Sequence, residues 1–251
     1  MSVEVTIGDD FVAVVEFENP PNNFFNAQIL GDIADAYEQL DADPTARAVV
    51  LSSRGRNFCA GADFGNGQGV AVRTLYEHAY RIFDAQTPVV AAVQGAAVGG
   101  GLGLALSADF RIATPRTRFH ANFARLGLHH GFGMTVSLPR VVGDQTAAEL
   151  LLAAPSVRGE DALRIGLCDQ LASDEADDLR DKARAYAAEI AANAPLAVRA
   201  IRTTLRGDIA QQIRAATEQE AVEQVRLFAT ADFKEGVRAA SDRRQPTFSG
   251  E

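Results

Sequence analysis

An α/β layered core that runs into a helical C-terminal region is the fold class the sequence predicts. Three observations predict it. Short β-branched apolar runs, such as Arg47 to Ser52 and Val89 to Gln94, have the length and composition of buried strands. Segments with apolar residues at helical spacing lie between such runs. From Asp174 onward the pattern becomes helix after helix, with Ala, Arg and Glu dominating and Pro195 marking a break. At 251 residues and 47% hydrophobic content the chain can bury a sizeable interior, as one large domain or as a core with a helical appendage.

Taken in order, Val3 to Ile7 and Phe11 to Phe17 read as two strands around the turn Gly8-Asp9-Asp10. After the polar, proline-containing stretch Asn19 to Asn23, residues Ile29, Leu30, Ile33, Ala34, Tyr37 and Leu40 mark one amphipathic helix ending near Asp41. The strand Arg47 to Ser52 leads to the loop Gly65-Asn66-Gly67-Gln68-Gly69, which is either a gate over a pocket or an ordinary surface loop. Val89 to Gln94 is followed by the helix-compatible Leu102 to Leu106, and Phe110 to Thr114 and Arg118 to Ala121 look like two more strands. Leu196 to Leu205, Ile209 to Phe228 and Asp232 to Ala240 complete the helical region.

The net charge of −9, with no basic block or stripe, argues against a generic nucleic-acid binder. The longest apolar stretches, Pro88 to Val93 and Leu102 to Leu106, are too short to span a bilayer. Cys59 and Cys168 lie far apart without metal-type spacing, and the start Met1-Ser2-Val3-Glu4 lacks a basic segment followed by an apolar one. Both features fit a reduced, cytoplasmic setting. The histidines have no acidic or cysteine companions at ligand spacing, so no metal site is predicted.

Two segments carry the chemistry: Asn57-Phe58-Cys59-Ala60-Gly61-Ala62-Asp63 and Val93-Gln94-Gly95-Ala96-Ala97-Val98-Gly99-Gly100-Gly101-Leu102-Gly103. Glycine and alanine leave backbone N–H groups uncovered, and three glycines before an apolar helix place unpaired donors at its positive end. Two such donors converging on one oxygen would make an oxyanion hole. The competing reading is that these glycines permit tight strand-to-helix turns, which for Gly99 and Gly101 is a sufficient account. Dinucleotide binding is a weak alternative, because the spaced Gly-x-Gly-x-x-Gly pattern is missing.

With these two segments, the sequence resembles the crotonase (enoyl-CoA hydratase/isomerase) superfamily. Asn19-Pro20-Pro21 with Asn26-Ala27, Leu138-Pro139-Arg140-Val141-Val142-Gly143, Ala148-Glu149-Leu150-Leu151 and Ala162-Leu163-Arg164-Ile165-Gly166-Leu167 extend the resemblance. Phe233-Lys234-Glu235-Gly236 and Arg243-Arg244-Gln245-Pro246-Thr247-Phe248 complete it. The resemblance implies a spiral of β-β-α repeats over residues 1–194 holding a CoA and acyl pocket, and a helical oligomerisation region over 195–251. It implies an acyl-CoA thioester as ligand, no cofactor beyond the CoA moiety, and a homotrimer or dimer of trimers.

By the same resemblance the oxyanion donors are the N–H groups of Ala62 and Gly100, with Ala60 and Asp63 in the same CoA-binding segment. Asp63 tempts as an acid or base, but a helix N-cap after the Ala-Gly-Ala turn is the better reading of it. Arg54 and Arg56 are candidates for the CoA phosphates, and Lys234 matches a position that reaches a neighbouring subunit's nucleotide; solvated surface charge is the competing account for each. The paired glutamates of ordinary hydratases are not there. Gly103 stands at the first position, Phe123 at the second, and Gly131 where some isomerases and dehalogenases carry an aspartate. A phenyl ring cannot accept a proton, so the usual two-carboxylate hydration is expected to be lost. His129 and His130, beside the expected acyl pocket, are the candidate substitutes, although adjacent histidines point different ways and a loop histidine often serves structure. His120 reads as structural, and His78 as a candidate for the opposite wall. A catalytically silent acyl-CoA binder is the alternative function.

Overall fold

A computed structural model of the chain describes residues 1–62 and 72–251; Asp63 and the glycine-rich loop Gly65 to Gly69 lie outside the described residues. The chain opens with an antiparallel hairpin, β1 (Ser2–Ile7) against β2 (Val12–Glu18), in register from Ser2 opposite Glu18 to Ile7 opposite Ala13. Phe11 takes a left-handed conformation (φ 61°) in the turn, so β2 starts one residue later than the apolar pattern suggests. β3 (Ala48–Ser53), β4 (Val89–Val93), β6 (Phe110–Ala113) and β9 (Gln170–Leu171) extend β2 as parallel neighbours, giving a sheet in the order β1-β2-β3-β4-β6-β9.

Both faces of this sheet are covered, which is why its central strands read as continuous apolar runs. Side chains alternate between two clusters. Val49, Leu51, Ala91 and Val93 face the helices α1 (Ala27–Ala42) and α2 (Val72–Asp84), whereas Ala48, Val50, Val90 and Ala92 face Leu179, Ala183 and Ala187 of α7 (Ala176–Ala191). The α1 start is fixed by Asn26, whose side chain accepts from the Ile29 N–H at 3.0 Å.

A second, smaller sheet turns this arrangement into a spiral. β5 (Ala96–Val98) pairs parallel with β7 (Arg118–His120), β7 pairs antiparallel with β8 (Val157–Arg158), and Cys59 bridges Ala97 on the other side. Each turn thus contributes a strand to the large sheet, an extended segment to the small one, and a helix. The sequence β3, Cys59, α2 is followed by β4, β5, α3 (Gly100–Ser107) and then by β6, β7, α4 (Met134–Val142). This is the β-β-α spiral that the resemblance implied, and it sets the extended segments and helix starts of successive turns side by side.

The remaining helices are α5 (Asp144–Leu152), α6 (Gly159–Arg164), α8 (Pro195–Arg206), α9 (Ile209–Phe228) and α10 (Ala231–Ser241). Pro195 occupies the first turn of α8, where its missing N–H costs nothing. Residues 195–251 are more than an appendage. Arg202 and Arg206 of α8 hold the half-buried Asp109 carboxylate at 2.9 and 3.0 Å, and α9 packs along α2. Among the described residues no helix is long and apolar enough to cross a membrane.

Candidate active site

The two donor segments meet where α3 begins. Gly99, at φ 55° and ψ −124°, turns the chain from β5 into the helix, a conformation that L side chains rarely adopt. The Phe25 N–H donates to the Gly61 carbonyl at 2.9 Å and the Val98 N–H to the Cys59 carbonyl at 3.0 Å, which sets the Cys59 to Ala62 strand between its neighbours. Gly61 (φ 102°) lies so close to the next turn that a Cβ on it would approach Val98 O to 2.9 Å and Gly100 N to 3.8 Å. Packing also explains the glycine run: a Cβ on Gly101 would strike the Cys59 carbonyl, and one on Gly100 the Phe25 ring. Neither the Ala62 nor the Gly100 N–H has a hydrogen-bond partner among the described residues.

Both residues line one cavity of about 400 Å³. Among the described residues its walls are largely aromatic, with Phe24, Phe25, Phe123, Phe132, Phe228 and Phe233, and the polar side chains that line it are Asn122, Tyr76 and Gln224. Phe132 is fully buried at φ 61°, an unfavourable conformation for a bulky residue, and its ring packs on Phe25 at 5.6 Å between centroids. The cavity therefore offers unpaired backbone donors beside an apolar space, an arrangement suited to holding an oxyanion attached to a carbon chain.

Comparison with known proteins follows the same line. The sequence model for enoyl-CoA hydratase/isomerase matches residues 8–251. The chain belongs to the enoyl-CoA hydratase/isomerase family. It is 33% identical over 251 residues to a probable enoyl-CoA hydratase of Bacillus subtilis (strain 168), covering 97% of both chains. It is 32% identical over 249 residues to a crotonyl-CoA hydratase of Syntrophomonas wolfei subsp. wolfei, covering 96% of this chain and 95% of that one. In three dimensions it is similar to an enoyl-CoA hydratase/isomerase from Pseudoalteromonas atlantica T6c, with a TM-score of 0.88 and 30% identity over 99% of this chain and 100% of the other.

The positions at which the family resemblance expects acids are filled by packing. Phe123 turns its ring into the cavity wall. At Gly103 a Cβ would come within 2.6 Å of Phe132 Cβ, so Phe132 occupies the room a larger side chain would need. At Gly131 a Cβ would fall on the Tyr76 hydroxyl and 2.7 Å from Gln224 Nε2.

His129 and His130 do not line the cavity, contrary to the expectation of a histidine facing the acyl group. Their rings stack at 4.1 Å, and His129 Nδ1 donates to the His130 carbonyl at 2.7 Å. His130 Nε2 donates to the Thr135 hydroxyl at 2.8 Å, which donates in turn to buried Glu220 at 2.7 Å. Glu220 also accepts the Gly133 and Thr135 N–H groups at 2.8 and 3.1 Å, capping α4. The physical reason for the displacement is this cap, which draws the histidine loop toward α9. Burial, with a smaller contribution from the His129 charge, holds His130 down to about 4, and burial pushes the Glu220 carboxyl up. His78 faces Gly31 of α1 and lies 3.3 Å from Arg81, and His120 Nε2 donates to the Ala154 carbonyl at 3.1 Å.

Of the residues expected at the nucleotide, Ala60 lines the cavity and its N–H donates to Asn22 O at 3.2 Å. Asp63 lies outside the described residues. Arg54 is engaged elsewhere: it binds Glu4 at 2.6 Å and Glu16 at 2.7 Å, and these hydrogen bonds hold its guanidinium more firmly protonated. Arg56 is exposed, as is Lys234, which follows the lining residue Phe233 on α10.

Tyr76, Gln224, Asn122, Phe25 and Phe132 are lining residues that motif reading missed. One signal for Gln224 was present. Ile213, Thr217, Glu220, Ala221 and Gln224 recur at helical spacing on the buried stripe of α9, so polar residues sit where a plain amphipathic helix would be apolar.

Proposed function

We propose that this chain is an acyl-CoA-binding enzyme that stabilises a thioester enolate or oxyanion with the Ala62 and Gly100 N–H groups and handles protons without the family's paired glutamates. The observation that carries it is the pair of unpartnered backbone donors opening on an aromatic cavity. Such a donor is worth roughly 3 kcal/mol when charge develops on the oxygen, because it is already aimed and shielded from water. The acyl chain lies among the phenylalanines, and the CoA nucleotide runs past Ala60 toward Arg56 and Lys234. Arg54 joins them only by exchanging its glutamate partners for phosphate. No cofactor beyond the CoA moiety is required. Assembly into a trimer or a dimer of trimers through residues 195–251 completes the reading, supported by the exposed apolar Leu196, Ile201 and Leu205 on α8.

A catalytically silent acyl-CoA binder is the second reading, favoured by Phe123, which places an inert ring in the cavity wall. Calorimetry with butyryl-CoA, followed by loss of the enoyl chromophore of crotonyl-CoA, separates the two. The enzyme reading expects saturable binding that weakens with salt, and slow but Gly100-dependent turnover. No binding to either thioester would remove the ligand class, and binding with no turnover of any acyl-CoA would leave the silent binder.

A further inference from the structure

Two of the polar side chains in the cavity wall are occupied with each other and with the backbone. The Tyr76 hydroxyl donates to Gln224 Oε1 at 2.7 Å, and Gln224 Nε2 donates to the His129 carbonyl at 2.9 Å. Asn122 lines the same wall, and its side-chain amide has no hydrogen-bond partner among the described residues. An asparagine just ahead of a helical turn ordinarily spends its side-chain oxygen on the backbone N–H groups two or three residues on. Here the 3₁₀ turn Ala124–Leu126 is closed by backbone alone, the Leu126 N–H donating to the Asn122 and Phe123 carbonyls at 3.2 and 2.9 Å. The side chain lies over Gly99 instead: a Cβ on Gly99 would stand 3.1 Å from Asn122 Oδ1 and 3.7 Å from the tip of the Phe123 ring. The amide oxygen is thus beside the ring that fills the expected acid position, and the residue after Gly99 supplies the Gly100 N–H donor.

We propose that Asn122 is a catalytic residue that holds the water added to an enoyl thioester. The inference rests on the reading of the cavity as an acyl-CoA enzyme's. A neutral amide neither takes nor gives a proton, but its acceptor oxygen and two N–H donors can fix a water and leave that water a free lone pair. An acyl chain that stripped all water from the amide would leave a polar group covered and unpaired, so the complex that keeps one water there is favoured. The water oxygen then bonds to the β-carbon, and the double-bond electrons pass to the thioester oxygen as an enolate held by Ala62 and Gly100. One of the water's protons ends on the α-carbon when the enolate collapses, so only water and thioester are consumed. Orientation without a proton acceptor makes this hydration slow.

The test is crotonyl-CoA hydration by the full chain and by two variants, with circular dichroism to check folding. Asn122→Leu, of similar size without the polar atoms, should lower kcat about tenfold and leave KM near its original value, since the lost hydrogen bond is to water and not to the thioester. Asn122→Asp should raise the rate, and that rate should climb with pH as the carboxyl ionises, because a carboxylate at the water both orients it and accepts its proton. A side chain serving only the fold would give neither the kcat-against-KM split nor the new pH profile, and Asn122→Asp, closest in shape, decides if Asn122→Leu does not fold. Unchanged kcat in Asn122→Leu, an effect on KM alone, or a slower Asn122→Asp overturns the water-holding role and leaves the thioester site standing. No hydration of crotonyl-CoA by the unmodified chain overturns the enzyme reading together with it.

Discussion

Replacing Phe123 with glutamate puts a carboxyl back into the cavity wall, and the outcome can be worked through. Phe123 is 7% exposed and belongs to the main core cluster, so losing the ring costs packing of about 3–5 kcal/mol at most. The new carboxyl faces phenylalanine rings and few polar groups, so desolvation raises its pKa toward the range where it can exchange protons near neutrality. A single positioned acid or base contributes about 10²–10⁴-fold. The imperfect fit of an unsupported side chain places Phe123→Glu at the lower end, a gain of about 10²-fold in crotonyl-CoA hydration over the unmodified chain. The assay is loss of the enoyl chromophore at saturating substrate, with a thermal melt to show that the variant is folded. If the unmodified chain already turns over at the speed of an ordinary hydratase and Phe123→Glu slows it, another group handles the water and the reasoning fails.

Gly103→Glu alone should give no such gain, because its Cβ would meet Phe132 at 2.6 Å; a destabilisation of about 1–3 kcal/mol is expected in denaturant melts, and a stable, faster variant would contradict it. His130, held at about 4 against an ordinary 6.5, makes the fold lose stability as the pH falls from 6.5 to about 4, by up to about 3 kcal/mol, since the unfolded chain takes the proton first. Glu220, with its raised pKa, works in the opposite sense on acidification, so the measurement is the difference between the unmodified chain and His130→Asn: the cost of the substitution at pH 7 should shrink by pH 4, and a constant cost would exclude His130 as the source. On α8, Ile201→Glu with Leu205→Glu should convert an oligomer into monomers by light scattering, because both side chains are exposed on the single chain; an unmodified chain that is monomeric at high concentration would remove the assembly.

The longer strands and the α1 and α9 helices were legible because burial on both sheet faces imposes continuous apolar runs and a packed helix keeps its stripe, whereas the spiral came only from the family resemblance. Val89 to Gln94 and Ile209 to Phe228 match β4 and α9 for that reason. The two-residue strands β8 and β9 carry no periodicity to read, and their pairing depends on partners far along the chain. The two segments rich in glycine and alanine were visible because a close backbone approach demands small residues, and the structure packs Gly100 and Gly101 against Phe25 and Cys59. The histidines misled because sequence proximity to the expected pocket says nothing about the direction of a loop, and the Glu220 cap that turns it comes from 85 residues away at Thr135. Tyr76 and Gln224 were invisible as a pair, since 148 residues separate them.

The central claim is that the Ala62 and Gly100 N–H groups together grip a thioester carbonyl, and isotope-edited infrared spectroscopy of crotonyl-CoA labelled with ¹³C at that carbonyl tests it directly. Two hydrogen bonds withdraw electron density from the C=O bond, so the bound carbonyl stretch should fall to lower frequency than in free ligand. Gly100→Ala, whose Cβ would strike the Phe25 ring and displace the donor, should return it toward the free value. A ligand that is bound, as calorimetry shows, yet keeps the carbonyl frequency it has in water would contradict the account.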